Sequence, residues 1–166
     1  IWKLIAVPVK LQPMHSPIWT VFIDGSALPN PGKLSIGGIV YAPDGQVDCF
    51  SHNFSHTGCN NEAEARAAIH ALQWLAEKQA RHVLIHTDNS ILAEQLSLAE
   101  PKRIESLFAV YEKARTLARQ FESVQVKWIP RHKNAVADAL ARGDWATAAS
   151  LEALIGHSAS SISSVE

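Results

Sequence analysis

The sequence has few cysteines, no long apolar run and almost no net charge, and each of these absences excludes a class of protein. Two cysteines among 166 residues are too few for a disulfide framework, which favours a reducing compartment and predicts a cytoplasmic protein. No apolar stretch approaches the length of a membrane span, and the first residues lack the pattern of a secretory signal. A net charge of −1 provides no overall attraction to nucleic acid.

A chain of this length predicts one domain with a hydrophobic core. We expect that domain over residues 18–143, preceded by an extension or cloning remnant over 1–17 and followed by an extension or tail over 144–166. Met14, the only methionine, is the expected native start. Alternating apolar residues over 5–11 resemble an edge strand, which Pro8 limits. Residues 145–155 are compatible with a further helix, and 156–166 with a loose tail.

Hydrophobic periodicity and turn residues predict a mixed α/β sheet with helices on its faces. Pro43-Asp44-Gly45 is a hairpin signal between the second and third strands. The first and fourth strands are connected through a helix, so we expect them to be parallel. The predicted strands cover residues 20–24, 35–42, 46–55, 83–88 and 124–129, and the predicted helices cover 62–79, 90–98, 103–121 and 135–141.

Two of the predicted strands end in a carboxylate. Val21-Phe22-Ile23 is followed by Asp24, and the fourth strand ends in Asp88. The carboxyl ends of parallel strands meet at one edge, where α/β folds place their sites. Each acid also has a simpler interpretation, because Asp24 precedes a glycine as in a turn and Asp88 lies where a helix begins.

Two further carboxylates lie on predicted helices. Glu64 falls on the inward apolar stripe of its helix, whereas Glu62 lies near the wet face. Asp138 is the only acid in an alanine-leucine helix, where aspartate has no propensity reason to be. The alternatives are that Glu64 merely favours the helix dipole and that Asp138 is an exposed, solubilising residue.

Four carboxylates in one cleft repel each other unless a counter-charge is present. Mg²⁺ prefers oxygen ligands and binds carboxylates together with substrate phosphates. Two such ions can activate a water and stabilise the leaving oxygen of a phosphodiester. If these four acids are metal ligands, the remaining charged side chains are net positive, so a phosphate backbone becomes an acceptable partner. The chemistry alone therefore predicts a metal-dependent nuclease or phosphoryl-transfer enzyme.

Over residues 19–142, an ordered set of motifs resembles type 1 ribonuclease H: D-G-S-x-x-x-N-P-G, N-N-x-A-E, T-D-N-S and N-x-x-x-D. The resemblance implies the ribonuclease H-like fold, a five-stranded mixed sheet of order 3-2-1-4-5 with helices on both faces. It also implies endonucleolytic cleavage of the RNA strand in RNA–DNA hybrids, leaving 5′-phosphate and 3′-hydroxyl ends. We expect a monomer with no obligatory protein partner and no membrane association.

The resemblance also implies roles for individual residues. By analogy Asp24 bridges two Mg²⁺ ions, which Mn²⁺ is able to replace. Asp138 helps to hold the ion that activates water, and Glu64 and Asp88 complete the other. Three asparagines match positions that read the shallow minor groove, where 2′-hydroxyl groups distinguish RNA from DNA; they are Asn30, Asn60 and Asn61. Further expected substrate contacts are Ser90, Arg131 and Asn134.

Two departures from the family pattern affect these expectations. Many bacterial members have a basic helix and loop between the fourth and fifth strands, but here residues 101–103 lead directly into the predicted long helix. We therefore predict weaker, strongly salt-sensitive hybrid binding. The loop before Asp138 is also compact. Its His132 is a candidate for a histidine that assists proton transfer or product release; a phosphate contact by His132, or Arg131 in its place, is the alternative.

Other patterns carry less weight. Residues 49–59 contain a C-x₂-H-x₃-H-x₂-C spacing, but Cys49 and His52 fall on opposite faces of one strand, which argues against zinc. Trp19, Trp74 and Trp128 lie in regular elements and are predicted to be core or packing residues. The competing functions are a retroelement-type or DNA-acting relative on the same fold and a catalytically silent nucleic-acid-binding module. The presence of all four acids argues against a silent module.

Overall fold

A computed structural model describes residues 17–154, so the predictions for 5–11, Met14 and 156–166 lie outside the described residues. The strands are β1 Ile18–Leu28, β2 Gly32–Tyr41, β3 Val47–Gly58, β4 His82–Thr87 and β5 Ser123–Trp128. The helices are α1 Asn60–Glu77, α2 Ser90–Ser97, α3 Phe108–Ala118, α4 Ala135–Ala141 and α5 Trp145–Leu154. Two short 3₁₀ helices cover Glu105–Leu107 and Arg131–Lys133.

The five strands form one mixed sheet of order β3-β2-β1-β4-β5. β1 pairs antiparallel with β2, and β2 pairs antiparallel with β3. β4 runs parallel to both β1 and β5. The predicted order 3-2-1-4-5 and the parallel pairing of the first and fourth strands are therefore confirmed.

The core lies on both faces of the sheet because side chains alternate along the strands. On one face, Val21 and Ile23 pack with Leu72 of the alanine-rich helix α1. On the other face, Ile39 and Leu140 belong to a second buried cluster that joins β2 and β3 to α4 and α5. The prediction of helices on both faces is confirmed. Within residues 17–154, no helix is both long and apolar enough for a membrane span.

The prediction that the first strand stops at Asp24 is wrong. β1 pairs in parallel with β4 only as far as Phe22 opposite His86, but it stays paired with β2 until Leu28 opposite Lys33. Asp24 therefore lies inside a strand, just beyond the point where β1 loses its neighbour on the β4 side.

Two helices differ from their predicted bounds by more than one residue. α1 begins at Asn60, two residues earlier than predicted. The predicted helix over 103–121 is a 3₁₀ turn followed by the shorter α3, because the backbone of Leu107 leaves the helical region at φ −121° and ψ 6°. α5 packs on α4, and its start is held by Asp144, whose carboxylate accepts a hydrogen bond from the Thr147 N–H at 3.1 Å.

Candidate active site

Two neighbouring parallel strands place Asp24 and Asp88 at the same edge of the sheet. Asp24 follows the last β1 residue paired with β4 by two positions, and Asp88 directly follows β4. The capping of α2 belongs to Asn89, whose side-chain oxygen accepts a hydrogen bond from the Leu92 N–H at 2.8 Å. The interpretation of Asp88 as only a helix-start residue is therefore unnecessary, since its neighbour performs that role.

Gly25 permits the close contact between β1 and α1 that brings Glu64 to this edge. A Cβ at Gly25 would lie 2.4 Å from the Ala63 carbonyl and 2.6 Å from the Glu64 nitrogen, so a larger residue would push the helix away. Glu64 is buried at 5% exposure, as its place on the inward stripe predicts. Glu62 instead forms ion pairs with Arg66 at 2.8 Å and His56 at 3.1 Å.

The carboxylates of Asp24, Glu64 and Asp88 each offer an oxygen, and these oxygens lie within 4.8 Å of one another. These three carboxylates, the acidic group, are the only cluster of three or more potential metal ligands among residues 17–154. The cysteine and histidine spacing over 49–59 does not produce one. Cys49 is buried on the α4 side of the sheet, whereas the His52 ring contacts Phe54.

Asp138 stands slightly apart from this group. It lies in the first turn of α4 and is partly exposed, and its carboxylate forms an ion pair with the Arg142 guanidinium at 3.1 Å. It is still near enough for its charge to raise the pKa of Asp24. The structure therefore brings three of the four predicted acids together and holds the fourth within electrostatic reach.

Burial and repulsion from neighbouring carboxylates raise the pKa of Asp24 and of Glu64. Burial raises the pKa of Asp24 to about 7; the charges of Asp88 and Asp138 add to the increase, and a hydrogen bond with Glu64 opposes it. Burial and the charge of Asp24 raise the pKa of Glu64 well above its usual value. The buried Oε2 of Glu64 has no hydrogen-bond partner among the described residues. This all-oxygen donor set fits a hard divalent cation, which would supply the missing counter-charge.

The side chain of Asn134 is buried and forms a hydrogen bond with one member of the acidic group, Asp88. It is 1% exposed, and its amide donates to the Ile23 carbonyl at 2.8 Å and to the Asp88 carboxylate at 3.2 Å. Its Oδ1 atom is buried and has no partner within residues 17–154. Asn134, which the sequence predicts to contact the substrate, therefore uses its amide for hydrogen bonds within the protein.

The three groove asparagines use their side-chain oxygens inside the protein. Asn30 accepts from the Asn60 N–H at 3.1 Å, and Asn60 accepts from the Ala27 N–H at 2.8 Å. Asn61 accepts from the side-chain amide of Asn89 at 2.9 Å. Each therefore has an oriented oxygen and an amide group that donates no hydrogen bond to the described residues.

Ser90, Arg131 and His132 are exposed, Ser90 at the start of α2 and the other two in the second 3₁₀ helix. The packing role predicted for Trp128 is wrong, because its side chain is 52% exposed. Its indole N–H donates to the Asp88 carbonyl at 3.1 Å. Trp128 is the last residue of β5 and pairs with Thr87, the last residue of β4. This position next to Asp88 is the signal by which the sequence could have indicated a role other than packing. Trp19 and Trp74 do pack, edge to face at 6.1 Å.

The profile of the family described as reverse transcriptase-like matches residues 22–143. The chain belongs to this family of ribonuclease H-like domains. The ribonuclease H-like domain is 31% identical over 119 residues to the bifunctional protein Rv2228c of Mycobacterium tuberculosis, covering 71% of this chain and 33% of that protein. It is 31% identical over 126 residues to the protein EbsB of Enterococcus faecalis, covering 74% of this chain and 90% of that protein.

Solved structures agree with this assignment. The ribonuclease H-like domain resembles the N-terminal RNase H domain of Rv2228c with a TM-score of 0.71 at 28% identity, covering 82% of this chain and 99% of that one. It resembles RNase H1 of Halobacterium salinarum with a TM-score of 0.70 at 26% identity, covering 78% and 98%. The chain spans about a third of the full length of the mycobacterial protein. These likenesses confirm the predicted ribonuclease H-like fold.

Proposed function

We propose that this domain is an endonuclease that hydrolyses the RNA strand of RNA–DNA hybrids and leaves 5′-phosphate and 3′-hydroxyl ends. The observation that carries the proposal is the meeting of Asp24, Glu64 and Asp88, from three separate elements, within 4.8 Å. The names of its relatives support the substrate class, since they include an RNase H domain and an RNase H1.

The acidic group would hold two divalent cations, Mg²⁺ or Mn²⁺ in its place. Asp24, Glu64 and Asp88 would be the main ligands, and Asp138 would complete the second position. Such ions, when bound, lower the pKa of a water and stabilise charge on phosphate oxygens. The protein contributes a set of acids, of which Asp24 and Glu64 are buried, and their mutual repulsion favours cation binding.

The reaction is a hydrolysis that needs no other co-reactant. A water oxygen loses a proton to solvent and forms a bond to phosphorus, the bond from phosphorus to O3′ breaks, and O3′ takes up a proton. His132 is our candidate for supplying that proton, because it is exposed beside α4 and forms no ion pair with the described residues. Arg131 is our candidate for a contact with a phosphate oxygen.

The groove asparagines account for a preference for RNA. Their oxygens are engaged by protein N–H groups, so their amide donors are oriented for acceptors on the substrate. A 2′-hydroxyl offers such an acceptor in the shallow minor groove of a hybrid, and DNA lacks it. Asn30, Asn60 and Asn61 would therefore distinguish the RNA strand.

The test is to incubate a labelled RNA–DNA hybrid with the protein, with and without Mg²⁺, beside duplex DNA and duplex RNA. We expect Mg²⁺-dependent cleavage of the hybrid only, and loss of cleavage in Asp24→Asn with an unchanged circular dichroism spectrum. Asp44→Asn is the matched control, because Asp44 lies in an exposed turn. Cleavage by Asp24→Asn at the wild-type rate would refute the proposal.

A second pair of variants separates the two loop residues. His132→Ala should lower the single-turnover rate with little change in KM if the imidazole transfers a proton. Arg131→Ala should mainly raise KM if the guanidinium binds phosphate. Equal effects of both variants on KM alone would remove the proton-transfer role from His132.

A further inference from the structure

Trp128 is an exposed aromatic residue, and it lies at the same edge of the sheet as the acidic group. It is the last residue of β5 and lies opposite Thr87, the residue before Asp88. Its side chain is 52% exposed, whereas Trp19 and Trp74 contact each other against the core. A tryptophan open to solvent next to a catalytic acid is therefore a feature that the packing of the domain does not explain.

The Trp128 ring is held in place by its polar edge. The indole N–H donates to the Asp88 carbonyl at 3.1 Å, and the Ile129 N–H donates to the Thr87 carbonyl at 2.9 Å. The strand ladder and the indole bond together fix the position of the ring relative to Asp88. A ring fixed in this way loses little further freedom when a ligand packs on it.

The chain around Trp128 carries positive charge without compensating acids. Residues 123–137 contain no aspartate or glutamate, but they contain three cationic residues, Lys127, Arg131 and Lys133. All seven arginines lie within residues 17–154, and six of them form ion pairs with carboxylates. In that part of the chain, Arg131 is the one arginine without such a partner. Aromatic rings flanked by free cations are typical of surfaces that bind nucleic-acid strands.

We propose that Trp128 is a substrate contact, whose ring packs on a ribose or base next to the cleaved bond while Arg131 and Lys133 bind neighbouring phosphates. This inference rests on the proposed function. These three contacts would bind the substrate without a basic helix between β4 and β5.

Binding is tested in the Asp24→Asn background, where cleavage does not interfere, by fluorescence anisotropy of a labelled RNA–DNA hybrid with Mg²⁺. We expect Trp128→Ala to weaken binding about tenfold, the order of one lost stacking contact, and Trp128→Phe to retain most of the affinity. Leu98→Ala is the control, since Leu98 is equally exposed at 54% but follows the far end of α2. Hybrid should also quench tryptophan emission, and less so in Trp128→Phe.

Kinetics in the Asp24-containing protein separate a contact from a positioning role. A contact predicts a raised KM in Trp128→Ala that Trp128→Phe largely restores. A fall in kcat with unchanged KM in both variants would show that only the indole N–H matters, through Asp88, and would overturn the inference. Hybrid cleavage by the wild type with unchanged binding by Trp128→Ala would also overturn it and leave the proposed function standing. Absence of both hybrid binding and cleavage in the wild type would instead refute the proposed function.

Discussion

Asn134 donates a hydrogen bond to the Asp88 carboxylate at 3.2 Å, and the same amide donates to the Ile23 carbonyl at 2.8 Å. One buried side chain thus ties the start of α4 to β1 and to the acid that follows β4. Asp88 is thereby oriented by a neutral side chain.

Asn134→Ala should lower both stability and turnover. Removing the amide breaks a buried hydrogen bond to Ile23, at a cost of about 1–3 kcal/mol in the free energy of unfolding. It also frees Asp88, so kcat should fall more than KM rises. Urea denaturation and steady-state kinetics measure the two effects. Gln73→Ala, on the exposed face of α1, should change neither, and an Asn134→Ala protein with wild-type stability and kcat would contradict this role.

Gly25→Ala should destabilise the domain and separate Glu64 from Asp24. The new methyl group would overlap the backbone of Ala63, and overpacking of this kind costs about 1–3 kcal/mol or more. Gly143→Ala is the matched control. Its Cβ would meet nothing within 4 Å, so only its positive φ of 74° is strained, at roughly 1–2 kcal/mol. We expect Gly25→Ala alone to lose hybrid cleavage, and its retention would show that α1 need not lie so close.

The metal-free protein should lose stability as pH rises because of Asp24. Its pKa is about 7 in the folded protein against 3.8 as the ordinary value. Between these pH values Asp24 keeps its proton in the folded state but has lost it in the unfolded state. Proton binding by Asp24 therefore stabilises the folded state fully below about pH 4, and this contribution disappears as the pH passes about 7. It amounts to roughly 4 kcal/mol at most.

Asp24→Asn should therefore be more stable than the wild type in EDTA at pH 8, and the difference should shrink toward pH 4. Thermal denaturation at several pH values measures it, with Asp44→Asn as control. Added Mg²⁺ should stabilise the wild type more at pH 8 than at pH 5, because the carboxylates must lose protons to bind it. A large loss of stability in Asp24→Asn at pH 8 would mean that Asp24 makes a structural bond.

Hybrid binding should depend steeply on salt. If the cations along 127–133 bind phosphates, the logarithm of the affinity should fall linearly with the logarithm of salt concentration. Arg131→Ala should reduce the slope by about 1 if it neutralises one phosphate. Lys78→Ala should leave the slope unchanged, since Lys78 lies over the Trp74 ring after α1. A wild-type slope near zero would exclude this electrostatic contribution.

The sequence by itself determined most of the element types and identified the three acids that the structure brings together. Short apolar runs bounded by turn residues were enough to predict the strands, because a strand that is buried on both faces carries apolar residues at consecutive positions. The stripe of α1 distinguished Glu64 from Glu62, since helical spacing sets which side chains share a face. The bounds of α4 were also predictable, because five of its seven residues are the strong helix formers alanine and leucine.

Only the tertiary structure decided how those residues are supported. The length of β1 beyond Asp24 depends on its pairing with β2, and the exposure of Trp128 depends on which side of β5 is left open. The bond between Asn134 and Ile23 joins residues 111 positions apart. Local patterns report on neighbours along the helix or strand, whereas burial, ion pairing and such distant bonds depend on which segments the chain brings together on folding.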